Sequence, residues 1–134
     1  DDGPVTTVRA FLDAFNKGDI AAAQAVNAAD ESIVDEIPPH EWHGPGAFQA
    51  WVADLGKVST AAGQTDEKVA LGQVIRDQVD GDTAYVVATV TFTYLTHGKP
   101  TVEPAEIAAS LANSGGAWKI TGWAWAGEAP RPGP

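Results

Sequence analysis

Val8, Phe11, Leu12 and Phe15 recur at i, i+3, i+4 and i+7, the stripe of an amphipathic helix. Gly18 stops that helix, and Asp19 can cap a second, alanine-rich one running to about Asn27. Ala29-Asp30-Glu31 is a polar break before a short strand, Ile33 to Ile37. Pro38 and Pro39 end that ladder, because proline has no backbone N–H to donate. Gly44-Pro45 suits the opening of a third helix, in which Phe48, Trp51, Val52 and Leu55 repeat the first spacing. The polar stretch Ser59 to Thr65 reads as a loop.

From Asp66 the period changes to two. Strands are predicted from about Lys68 to Val79, Thr83 to Thr96, Thr101 to Ala112 and Ala117 to Ala126. Asp80-Gly81-Asp82, His97-Gly98-Lys99-Pro100 and Asn113 to Gly116 supply the turns. Strands this long are expected to twist and bend. Gly127 to Pro134 reads as a Gly/Pro-rich tail, disordered or draped over the surface. Helices followed by a meander give an α+β fold, with three N-terminal helices on one face of a strongly curved, mostly antiparallel sheet. Such a cone can enclose a ligand cavity.

Composition narrows the functions open to this fold. A chain of 134 residues is one domain by length. A net charge of -10 argues against nucleic acid and against adsorption to anionic membranes. No stretch approaches the roughly 18 apolar residues of a spanning helix. Without cysteine there is no disulfide, thiolate nucleophile or Cys-ligated metal. Methionine is absent too, so residue 1 is expected to be a trimmed end, left by signal-peptide removal, other processing or tag cleavage; the first would make the protein an exported one.

The chemistry concentrates in Asp35-Glu36-Ile37-Pro38-Pro39-His40-Glu41-Trp42-His43-Gly44. Asp35 shares strand parity with Ile33 and Ile37, the more apolar face, whereas Glu36 pairs with Val34. Asp35 is therefore the expected inner acid, and burial would disfavour its charged form. His40 is the candidate proton-transfer partner; His43 and Glu36 belong to the cavity rim. A His-x-x-His pair beside carboxylates is permissible metal chemistry, but surface histidines are the simpler reading, and no metal or cofactor is expected.

Phe11, Phe15, Trp42, Trp51, Tyr94, Trp123 and Trp125 are the candidates to line the cavity, with Trp42 packing on an apolar ligand and Trp51 equally readable as core. On strand parity Trp118 and Ile120 share one face of the last strand, and Trp123 and Trp125 the other. One of those faces would need a cover, which points to a homodimer through the sheet. Glu103 and Glu106 have opposite parity, so only one can face inward, and the sequence leaves open which.

The chain resembles the nuclear transport factor 2-like superfamily, which includes SnoaL-like polyketide cyclases, ketosteroid isomerases and scytalone dehydratase. The resemblance is carried by Phe15-Asn16-Lys17-Gly18-Asp19, Ala29-Asp30-Glu31, Pro38-Pro39, Trp42-His43-Gly44 and Ala117-Trp118-Lys119-Ile120, in that order over almost the whole chain. It implies a cone-shaped (cystatin-like) fold, a homodimer and a small-molecule site. The ketosteroid isomerase base lies nine residues before the glycine preceding the third helix, which is Asp35 counted from Gly44. That family's oxyanion tyrosine falls on Phe11, which has no hydroxyl, and its partner acid falls near Ala108 or Ala109. Without those donors the largest electrostatic contribution to that reaction is missing, so a true ketosteroid isomerase is not expected. The expectation is a SnoaL-like domain binding an apolar small molecule. It is either a cofactor-free isomerase, cyclase or lyase with Asp35 as base, or a non-catalytic binding or dimerisation module.

Overall fold

The computed structural model describes residues 3–134. Helices α1 (Pro4–Lys17), α2 (Ile20–Ala25) and α3 (Ala47–Ala62) pack on one face of a curved sheet. The sheet is built from β1 (Asn27–Val34), β2 (Glu41–Pro45), β3 (Gln64–Asp80), β4 (Thr83–Thr96), β5 (Lys99–Ser114) and β6 (Ala117–Gly127). Their spatial order is β2-β1-β6-β5-β4-β3, and a short β7 (Arg131–Pro132) pairs with β5. Neighbours run antiparallel except β1 and β6, which are parallel. Among the described residues no helix is long and apolar enough to cross a membrane.

The helices end where local chemistry makes them end. Gly18 takes φ 69°, a left-handed conformation that costs glycine little, and its N–H returns to the carbonyl of Phe15. Asp19 then caps α2 by accepting from the Ala22 N–H at 3.0 Å. The apolar stripe of α1 does what its spacing requires: Val8, Phe11 and Leu12 are buried against the sheet. Asn16 fastens the end of α1 to β3, its amide donating to the Val69 carbonyl at 2.8 Å and its Oδ1 accepting from the Val69 N–H at 2.7 Å. Both bonds fall on an edge strand, where backbone groups otherwise lack partners.

Several boundaries differ from the sequence reading, each for a local reason. Strand β1 begins at Asn27, inside the stretch read as helix and polar break, because parallel pairing with β6 orders it. It ends at Val34, so Asp35 and Glu36 lie just beyond the ladder. Helix α3 continues to Ala62 through the expected loop and stops at Gly63, φ 68°. Ser59 is buried there, its hydroxyl donating to Glu67 Oε2 at 2.9 Å. The tail is not loose: Glu128 donates its N–H to the Pro104 carbonyl, Gly133 donates to that of Pro100, and β7 extends the pairing along β5.

The tryptophan parity needs correction. Leu111 pairs with Ile120 but Ser110 pairs with Gly122, so Thr121 is an extra residue, a bulge. The alternation restarts after it. Ile120 and Trp123 are both buried, and Trp118 and Trp125 both pack against the same core. All large groups of β6 therefore face inward, and tryptophans do not occupy both faces. The outer face carries instead a row of small and medium side chains, Val34, Ala124, Ala108 and Val87, hydrogen-bonded neighbours across four strands.

Candidate functional site

Between the helices and the sheet lies a cavity of about 140 Å³. Helix α1 contributes Phe11, Leu12 and Phe15 to its wall; α3 contributes Trp51, Leu55 and Val58. Inward positions of the sheet supply Phe92, Tyr94, Glu103, Ile107, Trp123 and Trp125. Asp35, Glu36 and Ile37 enter from the turn after β1, and Pro130 from the tail. The aromatic rings form two groups. At one end Phe11, Phe48, Trp51 and Trp123 pack edge to face or tilted, with Trp51 and Trp123 centroids 4.9 Å apart. At the other, Phe92 lies 4.7 Å from Tyr94 and 5.9 Å from Trp125.

Three carboxyl groups break this apolar lining, and no lysine, arginine or histidine stands on the wall with them; His40, outside it, favours the charged form of Asp35. Asp35 Oδ2 accepts from the Trp51 indole at 2.8 Å, and Oδ1 accepts from the Glu36 N–H at 2.7 Å. Burial pushes the Asp35 pKa up, and these two bonds oppose that shift only in part. Glu103 sits 1% exposed on the inward face of β5. Its Oε2 accepts from the Trp125 indole at 2.7 Å, while Oε1 has no hydrogen-bond partner. Glu36, exposed at the rim, is pushed up to about 8 by desolvation first, then by its hydrogen bond to the Glu103 carboxyl and by the charges of Glu103 and Asp35. Tyr94 is raised by burial and by the field of Glu103 and Glu36. Among the described residues, no three His, Asp or Glu side chains are placed to share a metal ion.

The structure thus brings Phe11, Phe15, Asp35, Glu36, Trp51, Tyr94, Trp123 and Trp125 to one cavity. Trp42, His40 and His43 lie outside its wall. The segment Glu41–Pro45 is a strand, not a free connection. Trp42 pairs with Ile33 and turns inward under α3, where its indole donates to Asp54 Oδ2 at 2.8 Å. His43 alternates outward and is exposed, 4.0 Å from Glu41. His40 is exposed with φ 78°, and its Nδ1 lies 3.3 Å from the backbone carbonyl of Asp35, not from the carboxylate.

Two acids went unselected in the sequence. Glu103 was half of an undecided pair; its alternation with buried Ala105 and Ile107 marks it as the inner one, and Glu106 is exposed. Glu31 was read only as part of a polar break. It is 2% exposed on the β1 face of Ile33, neither carboxyl oxygen has a hydrogen-bond partner, and burial pushes its pKa up to about 8. Glu31 does not line the cavity.

The profile of the SnoaL-like domain matches residues 8–118, most of the chain. The chain belongs to this family. No curated protein matches the sequence. Among solved structures, this SnoaL-like domain is similar to a ketosteroid isomerase-like protein from Erwinia carotovora, at 20% identity over 93% of each chain with a TM-score of 0.71. It is also similar to hexachlorocyclohexane dehydrochlorinase type 3 from Novosphingobium barchaimii, at 13% identity over 95% of this chain and 88% of that one, TM-score 0.77. A nuclear transport factor 2-like superfamily protein from Salmonella enterica gives 14% identity, 92% and 87% coverage and a TM-score of 0.74. At these identities the likeness establishes the fold, a shared cone that hosts unrelated activities.

Proposed function

We propose that this SnoaL-like domain binds an apolar small molecule in the cone and acts on it as a cofactor-free isomerase, cyclase or lyase, with Asp35 as the base. The observation that carries the reading is a carboxylate on the wall of an aromatic cavity, held by neutral donors and raised by desolvation. Trp51 and the Glu36 N–H fix its orientation without neutralising it as an arginine would. A raised pKa brings a carboxylate towards the range where general bases are efficient. His40, next to Asp35 through the backbone, is the assisting acid only if the 35–40 turn moves it to the mouth. The test is deuterium exchange next to the carbonyl in a panel of small cyclic ketones, followed by proton NMR. Asp35→Asn should slow exchange by about 10²-fold or more while binding, read from tryptophan fluorescence, persists. Equal rates for the two proteins would remove Asp35 from the reaction.

The competing reading, a non-catalytic binding or dimerisation module, draws on the outer-face row Val34, Ala124, Ala108 and Val87, with Tyr85 exposed beside it. A homodimer through this face would cover it. Sedimentation at micromolar concentration decides that point, a monomer ruling the interface out.

A further inference from the structure

Glu103 is the feature that the cavity itself leaves unexplained. A carboxyl group that is 1% exposed normally meets a cation or a full set of donors, because an isolated buried charge is costly. Here one oxygen has the Trp125 indole, and the other has no hydrogen-bond partner. Glu36, its pKa raised to about 8, hydrogen-bonds the Glu103 carboxyl but brings no positive charge, and Asp35 in the same turn is a further acid. Around this end stand the rings of Phe92, Tyr94 and Trp125, mutually packed at 4.7 and 5.9 Å. Aromatic faces attract cations through their quadrupole, and cages of such rings recognise ammonium groups. Both features call for the same missing partner, a positive group with an apolar surface.

We propose that the cavity selects an organic monocation, a protonated or quaternary amine on a single-ring apolar body, with its charged group between Glu103, Glu36 and the Phe92, Tyr94 and Trp125 rings. The size follows from the cavity, about 140 Å³, since an apolar cavity of roughly 150 Å³ accommodates benzene. The ring then packs towards Phe11, Trp51 and Trp123, beside Asp35. A bare metal ion is a poorer occupant, because no three acidic or histidine groups among the described residues are placed to share one. The assignment names the substrate class of the site described above and rests on that reading.

The test titrates benzyltrimethylammonium, benzylammonium and the neutral benzyl alcohol into the intact protein, following tryptophan fluorescence and calorimetry. Both cations should bind at least tenfold more tightly than the alcohol. The preference should survive from 50 to 300 mM salt, unlike loose attraction to a chain of net charge -10. Glu103→Gln, which keeps an acceptor for Trp125, should abolish the preference while leaving alcohol binding in place. Alcohol binding as tight as that of the cations, or a preference unchanged in Glu103→Gln, overturns the proposal and leaves the small-molecule site standing. Failure of all three probes to bind overturns both. The wild-type comparison decides the matter even if a variant does not fold.

Discussion

Glu31 offers a sharp test of how this fold treats buried charge. Its carboxyl is 2% exposed with neither oxygen partnered, and its pKa is pushed up to about 8. Below about pH 4.5 the side chain is protonated whether the chain is folded or not, so it costs nothing. Between 4.5 and 8 the unfolded chain gives up its proton and the folded one keeps it. Stability then falls by about 1.4 kcal/mol per pH unit. The loss reaches about 3 kcal/mol at pH 7 and approaches ~5 kcal/mol above pH 8. Glu31→Gln keeps the shape and removes the titration. Urea unfolding of both proteins from pH 5 to pH 8 isolates the effect, because other raised acids such as Asp35 and Glu67 contribute equally to each. The variant should gain about 3 kcal/mol on the wild type across that interval. A stability gap that stays flat with pH would mean that Glu31 is solvated or paired, and would refute the reasoning.

Three further outcomes follow from the contacts. Trp51→Phe removes the indole bond that holds the Asp35 pKa down, so the Asp35 titration followed by carbon NMR should move upward; an unmoved midpoint would show that the bond has no electrostatic role. A Cβ at Gly127 would run into Glu103, Glu36 and the Trp125 indole nitrogen, so Gly127→Ala should cost about 1–3 kcal/mol by displacing that group, and an unchanged unfolding midpoint would count against the packing described. Asn16→Ala should cost about 2 kcal/mol by freeing the Val69 N–H and carbonyl at the sheet edge; hydrogen exchange should show the Val69 amide losing protection first, and a fully protected amide would contradict this.

The fold was legible because its signals are periodic. The stripe of α1 and the alternation of the meander survive into the structure almost unchanged. Sequence reasoning failed where one residue interrupts a period. Counting by twos across Thr121 puts Trp118 and Ile120 on the opposite face from Trp123 and Trp125, since a bulge adds a residue that leaves no mark in the alternation. Asp35 was found because its neighbours Ile33 and Ile37 are apolar and both are buried. Glu36 reaches the same cavity although parity turned it away, because the ladder has already ended at Val34. Trp42 and the histidines, adjacent in sequence to Asp35, are not on the cavity wall: a strand sends Trp42 and His43 to opposite sides, one under a helix and the other into solvent. Glu31 and Glu103 were harder, because nothing local says that an acid will be buried without a cation.

The bulge at Thr121 also separates two properties of the cone that strand geometry usually ties together. In a regular stretch of β6, losing one residue would exchange every inward side chain for its outward neighbour. At Thr121 the extra residue can be lost with Ile120 and Trp123 both still facing the core, and only the local bend relaxes. Relatives can therefore differ in length at this point without reshuffling what their cavities present. Curvature is adjustable through length at position 121, and lining through identity at positions 123 and 125. An alignment across this strand that refuses a gap there will compare one protein's cavity wall with another's outer surface.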